Sequence, residues 1–213
     1  MNASTRRLLL SGAAGPIEAL RDEPGTSDQL PHRGVAIIAH PHPLFGGTME
    51  NKVVQTIARA FMQCGWSAVR FNFRGVGASA GQHDEGRGEL ADLLAVLEQS
   101  APTGPLALAG FSFGSFVASH AIERLQGSRA IERIVFVGTA ASRFGVAPIP
   151  AELRDRTLVL HGEQDETVPL VDVFDWARPQ NLPVVVMPGA AHFFHGQLPL
   201  LRSLVARHLN SPF

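Results

Sequence analysis

The chain has 213 residues, of which 45% are hydrophobic and 17% are charged, and its formal net charge is -1 at pH 7. This length fits one domain over residues 1–213, and the near-zero charge without a long basic run gives no electrostatic basis for binding nucleic acid or an anionic membrane. The single cysteine, Cys64, excludes an intrachain disulfide.

The start of the chain superficially resembles an export signal, because Arg6 and Arg7 precede a short run of leucines. The apolar run stops at Ser11, however, and charged residues follow soon after it. No stretch approaches the roughly 20 apolar residues that are needed to span a bilayer. We therefore expect a soluble, cytoplasmic protein.

Residues 6–11 and 15–22 predict an initial pair of strands, followed by a polar loop through Pro24, Gly25 and Pro31. From there on, strands alternate with helices. The predicted strands cover residues 34–39, 67–73, 105–110, 131–137, 157–161 and 183–187. The predicted helices cover residues 51–64, 88–99, 112–125, 169–177 and 198–209.

This alternation predicts the α/β fold class, with a mostly parallel, twisted sheet and helices on both faces. In open sheets of this kind, ligands bind at the carboxyl ends of the strands, where the connecting loops gather. The loops that follow the predicted strands are therefore where a functional site is expected. Several of these loops carry histidine, serine or carboxylate side chains.

A Gly-x-Ser-x-Gly pattern at residues 110–114 joins the strand 105–110 to the helix that follows it. A serine on such a sharp turn sits in a strained backbone, and the chain passes so close to itself that Gly110 and Gly114 are needed. The pattern alone also occurs in ordinary glycine-rich turns, which remains the alternative interpretation. Its position between strand and helix favours Ser112 as a nucleophile.

A serine hydroxyl needs an adjacent imidazole to take its proton, and the imidazole needs an acid to fix its tautomer. Asp165 follows the strand 157–161, and His192 follows the strand 183–187. We therefore predict that Ser112, Asp165 and His192 are catalytic, in that chain order.

Three motifs support the prediction of a catalytic serine, acid and histidine. Residues 161–169 match His-Gly-x-x-Asp-x-x-Val-Pro, residues 74–79 match Arg-Gly-x-Gly-x-Ser, and residues 40–49 read His-Pro-His-Pro-Leu-Phe-Gly-Gly-Thr-Met, with Asn-Lys-Val-Val at residues 51–54. The chain resembles the α/β-hydrolase superfamily over nearly its whole length. Within it, the chain is similar to small bacterial serine hydrolases that are related to dienelactone hydrolases and have no lid. Only residues 139–156 separate two predicted strands where a lid is commonly inserted, so no substantial lid is expected.

Other acids and bases compete for the same roles. The rival acids are Glu163, Glu166 and Asp172, and the motif at residues 161–169 favours Asp165 over them. The rival bases are His161 and His195. The resemblance gives His161 a structural role at the start of the loop that carries the catalytic acid, residues 161–169 (the acid loop).

The tetrahedral intermediate needs two backbone N–H groups aimed at its oxyanion. The resemblance implies that one is the amide of Phe113 and that the other comes from the loop after the strand 34–39. Pro41 and Pro43 have no N–H group, so His42, Leu44 and Phe45 remain, and we favour Leu44.

His40 and His42, with His32 nearby, also suggest metal ligands. No downstream cysteine or acidic cluster completes such a site, and the serine chemistry needs no metal, so we expect neither a metal nor another cofactor. The histidines and prolines of this loop are expected to shape it.

Several apolar side chains flank the proposed catalytic positions, and we expect Phe45 and Phe193 to form the wall of a substrate pocket. Leu44, Phe113 and Phe194 flank it too, and Phe111 is a candidate either for the pocket or for packing beneath the serine. Arg74 either meets a substrate carboxylate or braces its own loop by bonding carbonyl groups.

The predicted function is hydrolysis of small carboxylic esters or thioesters through an acyl-enzyme intermediate, by a serine esterase whose partner is a small-molecule substrate. A non-catalytic binding protein on the same fold and an acyltransferase with the same triad are the alternatives. The sequence does not indicate an oligomeric state.

Overall fold

The computed structural model describes residues 5–25 and 31–212. Within these residues, one sheet has the strand order β1-β2-β4-β3-β5-β6-β7-β8. The strands are β1 (Thr5–Gly12), β2 (Gly15–Asp22), β3 (Gly34–Ala39), β4 (Trp66–Phe71), β5 (Leu106–Phe111), β6 (Ile131–Val137), β7 (Thr157–Gly162) and β8 (Val184–Met187). β1 pairs antiparallel with β2 and β2 with β4, whereas all pairs from β4 to β8 are parallel.

The helices are α1 (Lys52–Gln63), α2 (Arg87–Ser100), α3 (Phe113–Leu125), α4 (Leu170–Ala177) and α5 (Leu198–Asn210). The predicted α/β fold class is confirmed, and each predicted strand and helix has its counterpart in the structure. The predicted strand 67–73 lies one or two residues earlier, as Trp66–Phe71. Of the polar loop predicted after β2, residues 26–30 lie outside the described residues.

Helices cover both faces of the sheet because successive side chains of a strand point to opposite faces. In β3, Val35 and Ile37 belong to one buried cluster, which contains side chains of α2, α3 and α4. Ala36 and Ile38 belong to the other cluster, which contains side chains of α1 and α5. Burial on both faces explains why the central strands are apolar without interruption.

Two layers of helices leave the carboxyl edge of the parallel strands open to the loops. Between β6 and β7 the chain forms turns and a short 3-10 helix, Ala151–Arg156, and no lid. Within the part of the chain that the structure describes, no helix combines the length and the apolar character needed to cross a membrane.

Candidate active site

The three predicted catalytic side chains come from loops at the carboxyl ends of β5, β7 and β8. Ser112 follows β5 directly, Asp165 follows β7, and His192 follows β8. Parallel strands bring these ends to one edge of the sheet, so residues that are far apart in the chain become neighbours.

Ser112 occupies a strained turn between β5 and α3. Its φ and ψ are 55° and -118°, outside the helical region, and α3 begins at the next residue. This is why the helix starts at Phe113 rather than at the predicted residue 112. A Cβ atom at Gly110 would collide with the backbone of Gly114 and Ser115, so this turn requires a glycine two residues before the serine.

A continuous hydrogen-bonded line joins the three side chains. The Nε2 atom of His192 lies 3.1 Å from the Oγ atom of Ser112, and its Nδ1 atom lies 2.6 Å from Oδ2 of Asp165. All three residues are buried. With the Asp165 carboxylate ionised, Nδ1–H of His192 donates to it, which leaves Nε2 free to accept the proton of the serine hydroxyl.

The acid is held in its loop by backbone donors. The amides of Thr167 and Val168 donate to Oδ1 of Asp165, at 3.0 and 2.8 Å. Burial alone would raise the pKa of the Asp165 carboxyl, but the hydrogen bonds from His192 and from the Val168 amide hold this pKa below its usual value. Asp165 is therefore ionised whenever the site is working.

None of the rival acids or bases takes the place of Asp165 or His192, although Nε2 of His161 lies 3.4 Å from Oδ2 of Asp165. Glu163 and Glu166 are exposed, and Glu163 accepts a hydrogen bond from the amide of Gly189. The buried ring of His161 binds the carbonyl of Val168 through Nε2, at 2.9 Å, and so supports the acid loop from behind. His195 is exposed. Asp172 lies in the first turn of α4.

The loop after β3 does not fit the predicted role of Leu44. The Leu44 amide donates to Nδ1 of His42, at 3.2 Å, and the Leu44 side chain is exposed and does not line the cavity beside Ser112. The amide of Phe45 donates to the carbonyl of His42. Of the three candidates, only the amide of His42 has no hydrogen-bond partner among the described residues.

His40 anchors this loop from below. Its Nδ1–H donates to the carbonyl of Pro41, at 2.6 Å, while its Nε2 accepts from the amide of Phe73, at 3.0 Å. With both nitrogens engaged, the ring has none left to bind a metal. Among the described residues, no group of three or more metal-ligating side chains is placed to hold an ion.

We expect the stability of the protein to fall with pH below neutrality. Burial lowers the pKa of His40 and of His208 from 6.5 to about 4. The unfolded chain therefore binds these protons first, so the stabilisation is complete above about pH 6.5 and is lost as the pH falls towards about 4.

Urea denaturation at a series of pH values measures this loss, which should reach about 3 kcal/mol for the fully buried ring of His40 and less for the half-buried ring of His208. His208→Gln, on α5 and away from Ser112, should make the decline shallower. A free energy of unfolding that stays constant, or rises, across this interval would contradict the assignment.

A cavity of about 290 Å³ opens beside Ser112. It is lined by Pro41, His42, Phe45, Gly46, Gly47, Asn51, Ser112, Phe113, Ala140, Arg143, Phe144, Thr167, Val168, His192 and Phe193. Phe45 and Phe193 thus line it as predicted, with exposed fractions of 80% and 45%. Phe111 and Phe194 are fully buried, and the Phe111 ring packs against His192 at a centroid distance of 4.9 Å.

Of the two roles considered for Arg74, the structure supports bracing of its own loop. Arg74 forms a two-point ion pair with Asp92 on α2, at 3.0 and 2.9 Å, so it braces its loop through a carboxylate rather than through carbonyl groups. Arg143, in the loop after β6, lines the cavity instead. Sequence reasoning missed it, and the only signal was its position in a loop at the carboxyl end of a central strand.

The chain matches a family model described as serine aminopeptidase, S33, over residues 31–151, more than half of its length. The uncharacterized protein RP471 of Rickettsia prowazekii (strain Madrid E) is 33% identical over 207 residues, which cover 88% of this chain and 82% of that protein. A relation to dienelactone hydrolases stays a prediction from the motif at residues 40–49.

Two solved structures are similar to the chain as a whole. XC6422 from Xanthomonas campestris, described as an α/β serine hydrolase without lid, has a TM-score of 0.86 and 36% identity, covering 98% of this chain and 95% of its own. An alpha-beta serine hydrolase homologue from Coxiella burnetii has a TM-score of 0.82 and 37% identity, covering 96% and 97%.

Proposed function

The chain belongs to the serine aminopeptidase S33 family of α/β serine hydrolases, and on this basis we propose that it hydrolyses small carboxylic esters or thioesters through a Ser112–His192–Asp165 triad. The observation that carries the proposal is the buried line from Oγ of Ser112 through His192 to the Asp165 carboxylate. A nucleophile, a base and an orienting acid are thereby within hydrogen-bond reach of one another.

In the first half of the reaction, Nε2 of His192 takes the hydroxyl proton as Oγ of Ser112 attacks the carbonyl carbon of the substrate. The developing charge on His192 is stabilised by the ionised Asp165. The protonated imidazole then gives its proton to the leaving alcohol or thiol, and the acyl group remains on Ser112. In the second half, His192 activates water in the same way, and the acid is released.

The oxyanion of the tetrahedral intermediate needs two N–H donors near Ser112. The amide of Phe113 has no partner among the described residues and opens α3, where the helix dipole favours negative charge. The second donor that we propose is the amide of His42, because those of Leu44 and Phe45 are engaged. His40 fixes this amide by binding the carbonyl of Pro41.

The lining of the cavity favours esters over peptides with a free amino terminus. An aminopeptidase must bind the positively charged α-amino group of its substrate, and a carboxylate is the usual partner for such a charge. The described residues that line the cavity include no aspartate or glutamate, and they include Arg143. We therefore do not propose peptides with a free amino terminus, the substrates that the family name indicates, as substrates of this chain.

A panel of substrates on one purified sample tests the proposal. We expect turnover of 4-nitrophenyl esters and acyl thioesters with short chains, with a rate that declines as the chain outgrows the cavity of about 290 Å³. Amino-acid 4-nitroanilides should not be cleaved, and the rate should not jump at the solubility limit of the ester, because there is no lid to open. Cleavage of nitroanilides without cleavage of esters would contradict the proposal.

An acyltransferase would use the same residues, and the products distinguish it from a hydrolase. With a short alcohol or amine added to the assay, a hydrolase releases mainly the free acid. If the products consist mainly of the new ester or amide at low acceptor concentration, the activity is acyl transfer and not hydrolysis.

A further inference from the structure

The cavity beside Ser112 contains one permanently charged side chain among its described lining residues, that of Arg143. Much of the remaining lining is apolar, including Phe45, Phe144 and Phe193. Arg143 is exposed at this cavity, so its charge is available to a bound ligand. It is well placed to determine which substrates bind.

The backbone holds Arg143 in place even though the residue is exposed. The amides of Arg143 and Phe144 both donate to the carbonyl of Ala140, at 3.3 and 3.2 Å, which closes a turn directly after β6. The ring of Phe144 lies 5.1 Å from Phe113 and stacks on Phe116 at 4.9 Å. The Cα atom of Arg143 is therefore fixed at the rim by its neighbour, and only the long side chain is free to adjust.

The guanidinium of Arg143 is not satisfied by an acid of its own. Within the described residues it has no ion pair, and its one hydrogen bond, from Nε to the carbonyl of Thr167, is long at 3.5 Å. Arg74, by contrast, is fully engaged with Asp92. Arg143 thus retains most of its donors for a ligand, and its fork-shaped group suits a carboxylate.

Arg143 and Ser112 line the same cavity. A carboxylate bound at Arg143 would therefore lie in the same cavity as a carbonyl group attacked by Ser112. The charge of Arg143 also contributes, after burial and the neighbouring His83, to the lowered pKa of His42, whose amide we place in the oxyanion hole. The fixed turn at residues 140–144 and the fixed turn at Ser112 would then hold the two ends of one substrate.

We propose that Arg143 determines the specificity of this site by binding a free carboxylate, so that the preferred substrates are esters or thioesters that also carry a carboxylate group. The inference rests on the proposed hydrolase function and names its substrate class. Arg143 takes no part in bond breaking. It binds and orients the anionic end of the substrate.

The test compares substrates that differ only in that charge. Monoethyl succinate, glutarate and adipate are paired with the ethyl esters of the corresponding primary amides, and ethanol release is followed. 4-Acetoxybenzoate and 4-acetoxybenzamide form a further pair with the carboxylate on the leaving group. The readout is the ratio of kcat/KM, acid to amide, within each pair.

We expect this ratio to be about ten or more in at least one pair. In Arg143→Gln it should fall by about tenfold, mainly because KM for the acid rises. Arg143→Lys should retain part of the preference, because it keeps the charge but loses the fork. Arg124→Gln, which removes the same charge from the exposed end of α3, is the matched control and should leave the ratio unchanged. The preference should also weaken as salt is raised.

Two outcomes are distinguishable. Equal turnover of acid and amide in every pair, or a preference that Arg143→Gln leaves intact, would overturn this inference while the esterase activity stands. Failure of the wild-type protein to cleave any of these esters, together with the 4-nitrophenyl esters, would overturn the proposed function and the inference with it.

Discussion

Ser112→Ala should lower kcat for a 4-nitrophenyl ester by about 10⁴- to 10⁶-fold, because the remaining oxyanion donors and binding contacts supply only a residual acceleration. The fold should be retained, since an alanine at φ 55° is no more strained than the serine it replaces. Steady-state kinetics at saturating ester and a urea denaturation curve measure the two effects separately.

Ser115→Ala is the matched control for this variant. It removes a hydroxyl group from the same helix, where Oγ of Ser115 donates to the carbonyl of Gly110 and does not contact His192. It should cost some stability and less than about tenfold in kcat. If the two variants lose activity equally, the loss reports damage to the turn between β5 and α3 and not the absence of a nucleophile.

Asp165→Asn should lower kcat by about 10⁴-fold, because an amide neither fixes the Nδ1–H tautomer of His192 nor stabilises the imidazolium. The structure gives this carboxylate its bond of 2.6 Å to His192 and two backbone donors. A plot of kcat against pH accompanies the measurement, since loss of the acid should change the pH profile as well as the rate.

Glu163→Gln in the same loop is the control for the choice of acid. Its carboxylate binds the exposed amide of Gly189 and should leave kcat within about threefold of the wild-type value. A loss at residue 163 that equals or exceeds the loss at residue 165 would move the acid to Glu163.

Local sequence patterns sufficed to predict the fold class. The apolar run of β3 predicts a strand buried on both faces, and Val35 and Ile37 do face one helix layer while Ala36 and Ile38 face the other. The order of the strands was not predictable in the same way, because β4 lies between β2 and β3 through contacts that no local pattern encodes. The end of β4 lies two residues before the predicted one, because Oδ1 of Asn72 accepts from the amide of Met49 and the amide of Phe73 donates to His40 in the loop after β3.

At the site, sequence order predicted which side chains meet, because strand ends in this fold converge on one edge. It could not predict which amide of the loop after β3 is free. That depends on the His42 ring, whose Nδ1 atom accepts a hydrogen bond from the Leu44 amide. The role of Arg143 was equally inaccessible, because it depends on Phe144 packing against Phe113 and on Asp92 engaging Arg74.

Labelling with a fluorophosphonate tests the central claim most directly, because the probe reacts only with a serine whose hydroxyl is activated by its neighbours. Intact-mass analysis of the wild-type protein should show one adduct, and peptide mapping should place it on Ser112. The adduct should be absent from Ser112→Ala and form far more slowly in His192→Ala. No adduct on the folded wild-type protein, or an adduct on another residue, would contradict the account.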